Sequence, residues 1–254
     1  MRSKRKAPAA TPPGASVPEH VAIVGLGPSL ETYVDLTRRL GGRRRLADET
    51  WGINALGDVI VCDRVFHMDD VRIQEVRAQA RPESNIAVML AWMKSHPGPI
   101  YTSRPHPDYP GLVEFPLQDV INTCRDAYFN STAAYAVAFA IHIGVKKISL
   151  FGCDYTYPNA HHAEKGKACV EFWLGFAMAI GIEVCVAEAS SLLDMVEGRP
   201  LYGYGAMGTR DVAIAAGADG AMTVSFTERQ ALPTADEIER AYDHSRHPSA
   251  LVKR

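Results

Sequence analysis

Residues able to move a proton and to stabilise a departing phosphate follow one apolar segment of the sequence. The stretch GCDYTYPNAHH, residues 152–162, holds two tyrosines and two adjacent histidines, namely Tyr155, Tyr157, His161 and His162. A histidine with a pKa near neutral can take a proton from an attacking hydroxyl, and a tyrosine hydroxyl can donate to a leaving phosphate. The alternative is a solvent-exposed histidine pair in a loop. A zinc site is disfavoured, since no third ligand lies at a diagnostic spacing.

A glycine-rich turn near the start of the chain has the outline of a nucleotide-binding loop. The stretch VAIVGLGPSLETY, residues 21–33, is an apolar run, a tight turn and the start of a helical pattern. Gly25 and Gly27 would let the backbone approach an anion, toward which the next helix turns its free N–H groups. Leu30 stands where a dinucleotide site needs a small residue, and no Lys-Ser/Thr pair follows. A tight turn that merely needs glycine is the alternative.

Two further sets of residues could contact a ligand, and each has a structural alternative. Asn130, Ser131 and Thr132 precede an apolar helical segment, where Ser131 or Thr132 can cap the helix or offer donors to a second part of the ligand. Asp69 and Asp70 follow a predicted strand, where paired carboxylates can hold Mg²⁺ or Mn²⁺ bridging a diphosphate. The same acids can instead cap the next helix.

Short apolar runs alternate with helical patterns along most of the chain. Strands are predicted at 21–24, 50–53, 64–67, 100–102, 147–151 and 183–187. Helices are predicted at 29–40, 71–80, 84–95, 132–143 and 168–180. This alternation predicts a single α/β domain of the Rossmann-like type, with a mainly parallel sheet and helices on both faces. Ligands then bind beyond the carboxyl ends of the strands, where the candidate residues lie.

Composition divides the chain and bounds its class. We predict a disordered, basic and proline-rich arm at residues 1–19 and the Rossmann-like domain at 20–200. Residues 201–254 are predicted to form a lid-like or accessory segment, with a short helix capped by Thr234 and Glu237. A formal net charge of −2 argues against a wholly basic nucleic-acid wrapper, although a basic arm can touch nucleic acid or simply aid solubility. The five cysteines lack a C-x-x-C pair and favour buried reduced thiols in a cytoplasmic protein. No apolar run is long enough to predict a membrane span.

Four blocks of the sequence together resemble the bacterial sialyltransferases. The blocks are VGLGPSL at 24–30, WGINA at 51–55, NSTAAYAVAFAIHIGVKKISLFGCDY at 130–155 and CVAEASSLLD at 185–194. They also resemble a related family of unknown function that includes archaeal proteins similar to hydroxymethylpterin diphosphokinases. The resemblance spans 21–194 and implies that 20–200 is a catalytic domain that binds a nucleotide-activated donor.

The resemblance also implies roles for individual residues. Together with the strand ends, it gives this donor-binding set: Gly25, Gly27, Pro28, Ser29, Asn54, Asn130, Ser131, Thr132, Gly152 and Asp154. The implied base is His161 or its neighbour His162, and Tyr155 and Tyr157 are the candidates that stabilise the leaving phosphate. The sequence departs from the sialyltransferases at Leu26, where they carry asparagine, and in the shorter loop after Asp154. The acid pair Asp69–Asp70 adds a possible metal, which those enzymes do not need.

These features predict a glycosyltransferase that moves a sugar from a nucleotide-activated donor to a hydroxyl acceptor. The basic arm RSKRK raises the case of a nucleic-acid acceptor, such as a modified base in DNA. One alternative is a pterin-type diphosphokinase that uses ATP and magnesium held by Asp69 and Asp70. Another is a nucleotide-binding protein without catalysis, because a fold alone does not fix a function. The sugar, the acceptor and the oligomeric state stay open.

Overall fold

Seven parallel strands form the central sheet of the computed structural model, which describes residues 17–156, 160–199, 201, 203–204 and 210–241. The chain forms two compact units, Met1–Val196 and Glu197–Arg254. The strands of the first unit are β1 (His20–Val24), β2 (Glu49–Ile53), β3 (Arg64–Phe66), β4 (Ile100–Thr102), β5 (Leu112–Glu114), β6 (Lys147–Phe151) and β7 (Glu183–Val186). Its α-helices are α1 (Leu30–Leu40), α2 (Val71–Ala80), α3 (Asn85–Ser95), α4 (Leu117–Cys124), α5 (Thr132–Ile143) and α6 (Ala160–Ala179). Short 3₁₀ helices cover Arg43–Arg45, Asn54–Asp58 and Leu192–Glu197.

The strand order places one crevice at the centre of the sheet. The order is β5-β4-β3-β2-β1-β6-β7, and each neighbouring pair is parallel. The chain moves outward from β1 to β5 and then returns to lay β6 on the other side of β1. Ligands of open α/β sheets bind where the strand order reverses in this way, outside the carboxyl ends of the strands. A ligand-binding site is therefore expected at the carboxyl ends of β1 and β6.

Both faces of the central strands are buried, which explains why β1 is apolar at four consecutive positions, Val21 to Val24. Ile23 and Trp51 pack on one face, in a cluster with residues of α4, α5 and α6. Ala22 and Val24 pack on the other face with Tyr33 of α1. A sheet covered on both sides lacks the apolar/polar alternation of a half-exposed sheet. The predicted α/β architecture with helices on both faces is confirmed.

The structure adds elements that the sequence patterns missed and corrects the start of one helix. Strand β5 has three residues, too few to show an alternation, and α4 directly follows Pro116. Helix α6 begins at Ala160, eight residues before the predicted start at 168, so the backbone of His161 and His162 lies in its first turn and not in the preceding loop. Gly166 lies inside this helix. A Cβ at this position would lie 2.3 Å from the ring of Tyr155, so the glycine makes room for that ring inside a helix.

The second unit contains an antiparallel hairpin and a short helix. Strands β8 (Arg210–Ala216) and β9 (Met222–Glu228) pair over seven residues, and α7 covers Ala235–Ala241. Part of the segment 201–254, which is predicted to be lid-like or accessory, is therefore strand, and a lid role for this segment stays a prediction. The predicted cap of α7 is confirmed, since Glu237 N donates to Thr234 Oγ1 (3.3 Å) and Thr234 N donates to Glu237 Oε2 (2.8 Å). Among the described residues, no helix is both long and apolar enough to cross a membrane.

A largely buried ion pair between Arg64 and Glu49 joins β3 to β2. Arg64 is 8% exposed, and its Nε and Nη2 donate to the two carboxylate oxygens of Glu49 at 2.6 and 3.1 Å. Trp51 Nε1 also donates to Glu49 (2.6 Å), and Arg64 Nη1 donates to the hydroxyl of Tyr101 (3.1 Å). The carboxylate thus satisfies two neighbouring donors at once. Removing it leaves a buried guanidinium without its counter-ion.

We expect Glu49→Ala to lower the free energy of unfolding by about 3 kcal/mol, because the unpaired Arg64 stays buried. The exposed Glu188 supplies a matched control, and Glu188→Ala should change stability by less than about 0.5 kcal/mol. Urea unfolding followed by circular dichroism measures both. Equal stability of the two variants would show that the pair does not support the sheet.

Candidate functional site

The loops that follow β1 and β6 touch each other through glycine backbone. Gly25 N donates to Phe151 O (2.8 Å), and Gly27 N donates to Gly152 O (2.7 Å). A Cβ at Gly25 would lie 2.4 Å from Gly152 O, and one at Gly152 would lie 2.1 Å from Gly25 O. Gly152 also has a φ of +64°. These glycines are needed for contact between the loops, and the two amides that could have approached an anion are already used.

A buried carboxylate lies at the N-terminus of α1. Ser29 donates to Asp154 twice, from its backbone N to Oδ2 (2.6 Å) and from its Oγ to Oδ1 (2.5 Å). The same Oγ accepts from Gly152 N (2.6 Å). Because both side chains are buried, these bonds are shielded from water. The negative charge that a helix N-terminus attracts is thus supplied from within the protein.

A cleft of about 960 Å³ opens at the carboxyl edge of the sheet, where β1 and β6 meet. All the predicted donor-binding residues line it except Ser29, which lies buried beneath the loops. Tyr155 and Asp69 line it as well. The structure therefore brings together residues that are up to 130 positions apart in the sequence. Their contact with a donor stays a prediction.

The N-terminus of α5 offers unused donors to this cleft. Ser131 caps the helix, since its Oγ accepts from Ala134 N (3.4 Å), and Tyr155 donates to the same Oγ (2.9 Å). Thr132 and Ala133 line the cleft. Across the described ranges, neither of their backbone amides has a hydrogen-bond acceptor. Free amides at a helix N-terminus, aided by the helix dipole, form an anion-binding arrangement.

Two residues with strained backbone line the cleft. Asn54 has a φ of +54° and Tyr155 a φ of +52°, in the left-handed region that side chains other than glycine seldom adopt. The Oδ1 of Asn54 is buried and has no partner within the part of the chain that the structure describes. A buried acceptor without a donor costs about 1–3 kcal/mol. Strain and an unmet acceptor together indicate a site adapted to a ligand.

The remaining predicted residues have different placements. Asp70 caps α2 and accepts from Arg72 at both oxygens, and these hydrogen bonds lower the pKa of Asp70 to about 2. Asp69 is exposed at the cleft wall, so only one of the two acids faces the cavity. A metal at this pair stays a prediction. Tyr157 and the side chains of His161 and His162 lie outside the described part of the structure.

Two features of the site had no separate signal in the sequence. Phe129 and Tyr135 line the cleft as a stacked pair with ring centroids 4.3 Å apart, and Phe129 also stacks on Trp173 at 5.1 Å. The second feature is His67, which directly follows β3. Its side chain is fully buried, and neither ring nitrogen has a hydrogen-bond partner among the residues described. Burial lowers the pKa of His67, while the charge of Asp69 opposes this shift. The sequence does not predict this environment, because a single histidine after a strand forms no distinctive pattern.

Comparisons with known proteins return a remote structural likeness. No model of a protein family matches the sequence. No curated protein matches it either. Among solved structures, a point mutant of the α-2,3/8-sialyltransferase CstII is similar, with 14% identity, a TM-score of 0.33, and coverage of 88% of this chain and 100% of that one. The CstII enzyme of Campylobacter jejuni, solved with the substrate analogue CMP-3FNeuAc, has 15% identity, a TM-score of 0.33, and coverage of 88% and 98%. At these values the likeness bears on neither the site residues nor their chemistry.

The contact between the two glycine loops can be tested with a pair of substitutions. Gly152 and Gly144 both have positive φ angles, but a Cβ at Gly144 meets nothing within 4 Å. We expect Gly144→Ala to destabilise the protein by about 1 kcal/mol from backbone strain alone. Gly152→Ala adds a collision with Gly25 O and should cost at least about 3 kcal/mol, if the variant folds at all. Thermal unfolding compares them, and similar melting temperatures would contradict the close contact.

Proposed function

We propose that the cleft binds a nucleotide-activated sugar and that the protein transfers the sugar to a hydroxyl acceptor. The observation that carries the proposal is the pair of unused amides at Thr132 and Ala133, beside the hydroxyl of Ser131, which accepts from Tyr155. These donors converge on one wall of a cleft that is large enough for a nucleotide. Asn54 contributes an unmet acceptor elsewhere in the same cavity, suited to an N–H or O–H of the ligand.

The phosphate of the donor is assigned to the N-terminus of α5. The N-terminus of α1 is excluded by its own chemistry, because Asp154 already accepts from Ser29 there and a second negative charge would be repelled. Each hydrogen bond from an amide to a charged phosphate stabilises the complex by about 1.5–3 kcal/mol. The dipole of α5 adds about 0.3–1 kcal/mol. The same amides of α5 then bind the phosphate of the donor and stabilise it as the leaving group.

Transfer requires a base and a stabilised leaving group. The bond between the sugar carbon and the phosphate oxygen breaks, a bond from that carbon to the acceptor oxygen forms, and the acceptor proton passes to His161 or His162. The proposal is supported by the first turn of α6, where both histidines lie, since Gly166 of the same helix lines the cleft. Ser131 keeps its own O–H for the departing phosphate, and Tyr155, which donates to Ser131 Oγ, polarises that hydroxyl as the charge develops. Such placed donors typically contribute about 3 kcal/mol each to the rate.

The role of the α5 amides can be tested by removing one N–H without disturbing the helix. Thr132 is the first residue of α5, where proline is tolerated, and Ser131 is extended (φ −155°, ψ 152°), as a residue before proline should be. We expect Thr132→Pro to weaken nucleotide binding by roughly tenfold or more, since one charged hydrogen bond is lost. Thr132→Ala keeps the amide and is the matched control. Isothermal titration measures both; equal affinities would contradict the assigned phosphate position.

The wild-type titration also separates the proposed function from its alternatives. Binding of CMP, UDP or GDP supports the glycosyltransferase. Binding of ATP that requires magnesium, in the absence of the others, favours the pterin-type diphosphokinase. No binding of any nucleotide would overturn the proposal and leave a protein without a nucleotide site.

The catalytic histidines are tested by a double substitution. We expect His161→Ala/His162→Ala to lower the rate at which the bound donor is cleaved to release its nucleotide. The loss should be roughly 10²–10⁴-fold, because the general base is removed. Donor affinity should change by less than about twofold, since the α5 amides that bind the phosphate are intact. His142→Ala, at the opposite end of α5, is the control and should keep full activity. An unchanged rate in the double variant would show that neither histidine is the base.

A further inference from the structure

Three potential metal ligands converge where α2 meets the loop that follows β4. Glu75 lies on α2, and His106 and Asp108 lie on the loop between β4 and β5. Each offers one ligand atom, and these atoms all lie within 4.8 Å of one another. Two carboxylate oxygens and one imidazole nitrogen form a mixed set typical of a divalent transition metal.

The charge at this cluster is unbalanced. Elsewhere, partly buried acids such as Glu49 and Asp63 pair with arginines. Within the described residues, neither Glu75 nor Asp108 forms an ion pair with a lysine or arginine, and the Nδ1 of His106 lies 4.0 Å from Asp108 Oδ2. Two carboxylates that converge without a cation repel each other. A bound cation would remove this repulsion.

A buried tyrosine holds two of the ligands in place. Tyr109 is 1% exposed, its hydroxyl donates to Glu75 Oε1 (2.9 Å), and its ring meets the ring of His106 edge-on with centroids 5.4 Å apart. Asp108 N donates to His106 Nδ1 (3.2 Å), and a metal ion bound at Nδ1 would replace this hydrogen bond. Lys94 is also near, but its Nζ lies over the ring of Tyr109. Supporting contacts of this kind fix the orientation of metal ligands.

We propose that Glu75, His106 and Asp108 bind a divalent transition-metal ion, such as Zn²⁺, that fastens the β4–β5 loop to α2. Water would complete the coordination, since the Asp108 side chain is largely exposed. The proposal does not depend on the function of the cleft. It also differs from a metal at Asp69 and Asp70, whose expected ligand would be a diphosphate.

Zinc titration of the full chain tests the proposal through variants at the exposed ligand. Asp108→Asn keeps the shape of an exposed side chain and should not affect folding, which circular dichroism verifies. We expect Asp108→Asn and His106→Ala each to weaken one equivalent of zinc binding by roughly tenfold or more. The controls Asp58→Asn and His142→Ala, outside the cluster, should bind zinc as the wild type does. Unchanged affinity in both ligand variants, or no saturable binding by the wild type, would overturn the proposal.

The other histidines and the five cysteines of the chain make a second readout necessary. Cobalt in place of zinc reports its ligands by absorption. We expect visible bands of a nitrogen- and oxygen-ligated ion that are lost in His106→Ala. A thiolate-to-cobalt charge-transfer band in the near ultraviolet, unchanged in that variant, would place the metal on cysteines and contradict the assignment.

Discussion

The hydrogen bonds between Ser29 and Asp154 are the interaction on which the site depends. They join the loop after β1 to the loop after β6, and so fix the two strands whose ends form the crevice. A buried carboxylate is unfavourable unless it is hydrogen-bonded, and here it accepts from an amide and a hydroxyl at the positive end of α1. The close backbone contact of Gly25 with Gly152 follows from this arrangement, since any side chain there would hold the loops apart.

The same interaction determines where a ligand's charge can lie. With Asp154 at the N-terminus of α1, the first helix can offer a phosphate neither its dipole nor the amide of Ser29. Among the residues that the structure describes, no internal anion lies at the N-terminus of α5, and Thr132 and Ala133 keep their amides unused. The loop after β1 therefore resembles a nucleotide-binding loop, whereas the unused hydrogen-bond donors lie at the N-terminus of another helix, α5. The left-handed backbone of Asn54 and Tyr155 lies in the lining of the same cavity.

The sequence was a good guide to the sheet and to the residues at its carboxyl edge. Apolar strands separated by helical patterns predict a parallel sheet, and the strand-end rule brings Asn54, Asp154 and Thr132 to one cleft. The role of the glycines could not be predicted, because Gly25 needs Gly152 as a neighbour and the two are far apart in the chain. The start of α6 was misplaced because Gly166 weakens a helical pattern, and only the ring of Tyr155 explains that glycine. The cluster at Glu75 and His106 was missed for a similar reason, as helix and loop meet only in the folded protein.

The central claim is that a phosphate binds at the N-terminus of α5 while Asp154 keeps its place at α1. A crystal structure of the protein with CMP or UDP, whichever binds more tightly, tests this claim most directly. We predict phosphate oxygens within about 3.2 Å of the backbone nitrogens of Thr132 and Ala133, with the bonds from Ser29 to Asp154 intact. A phosphate bound at the amides of Gly25 to Ser29, with Asp154 displaced, would contradict the account.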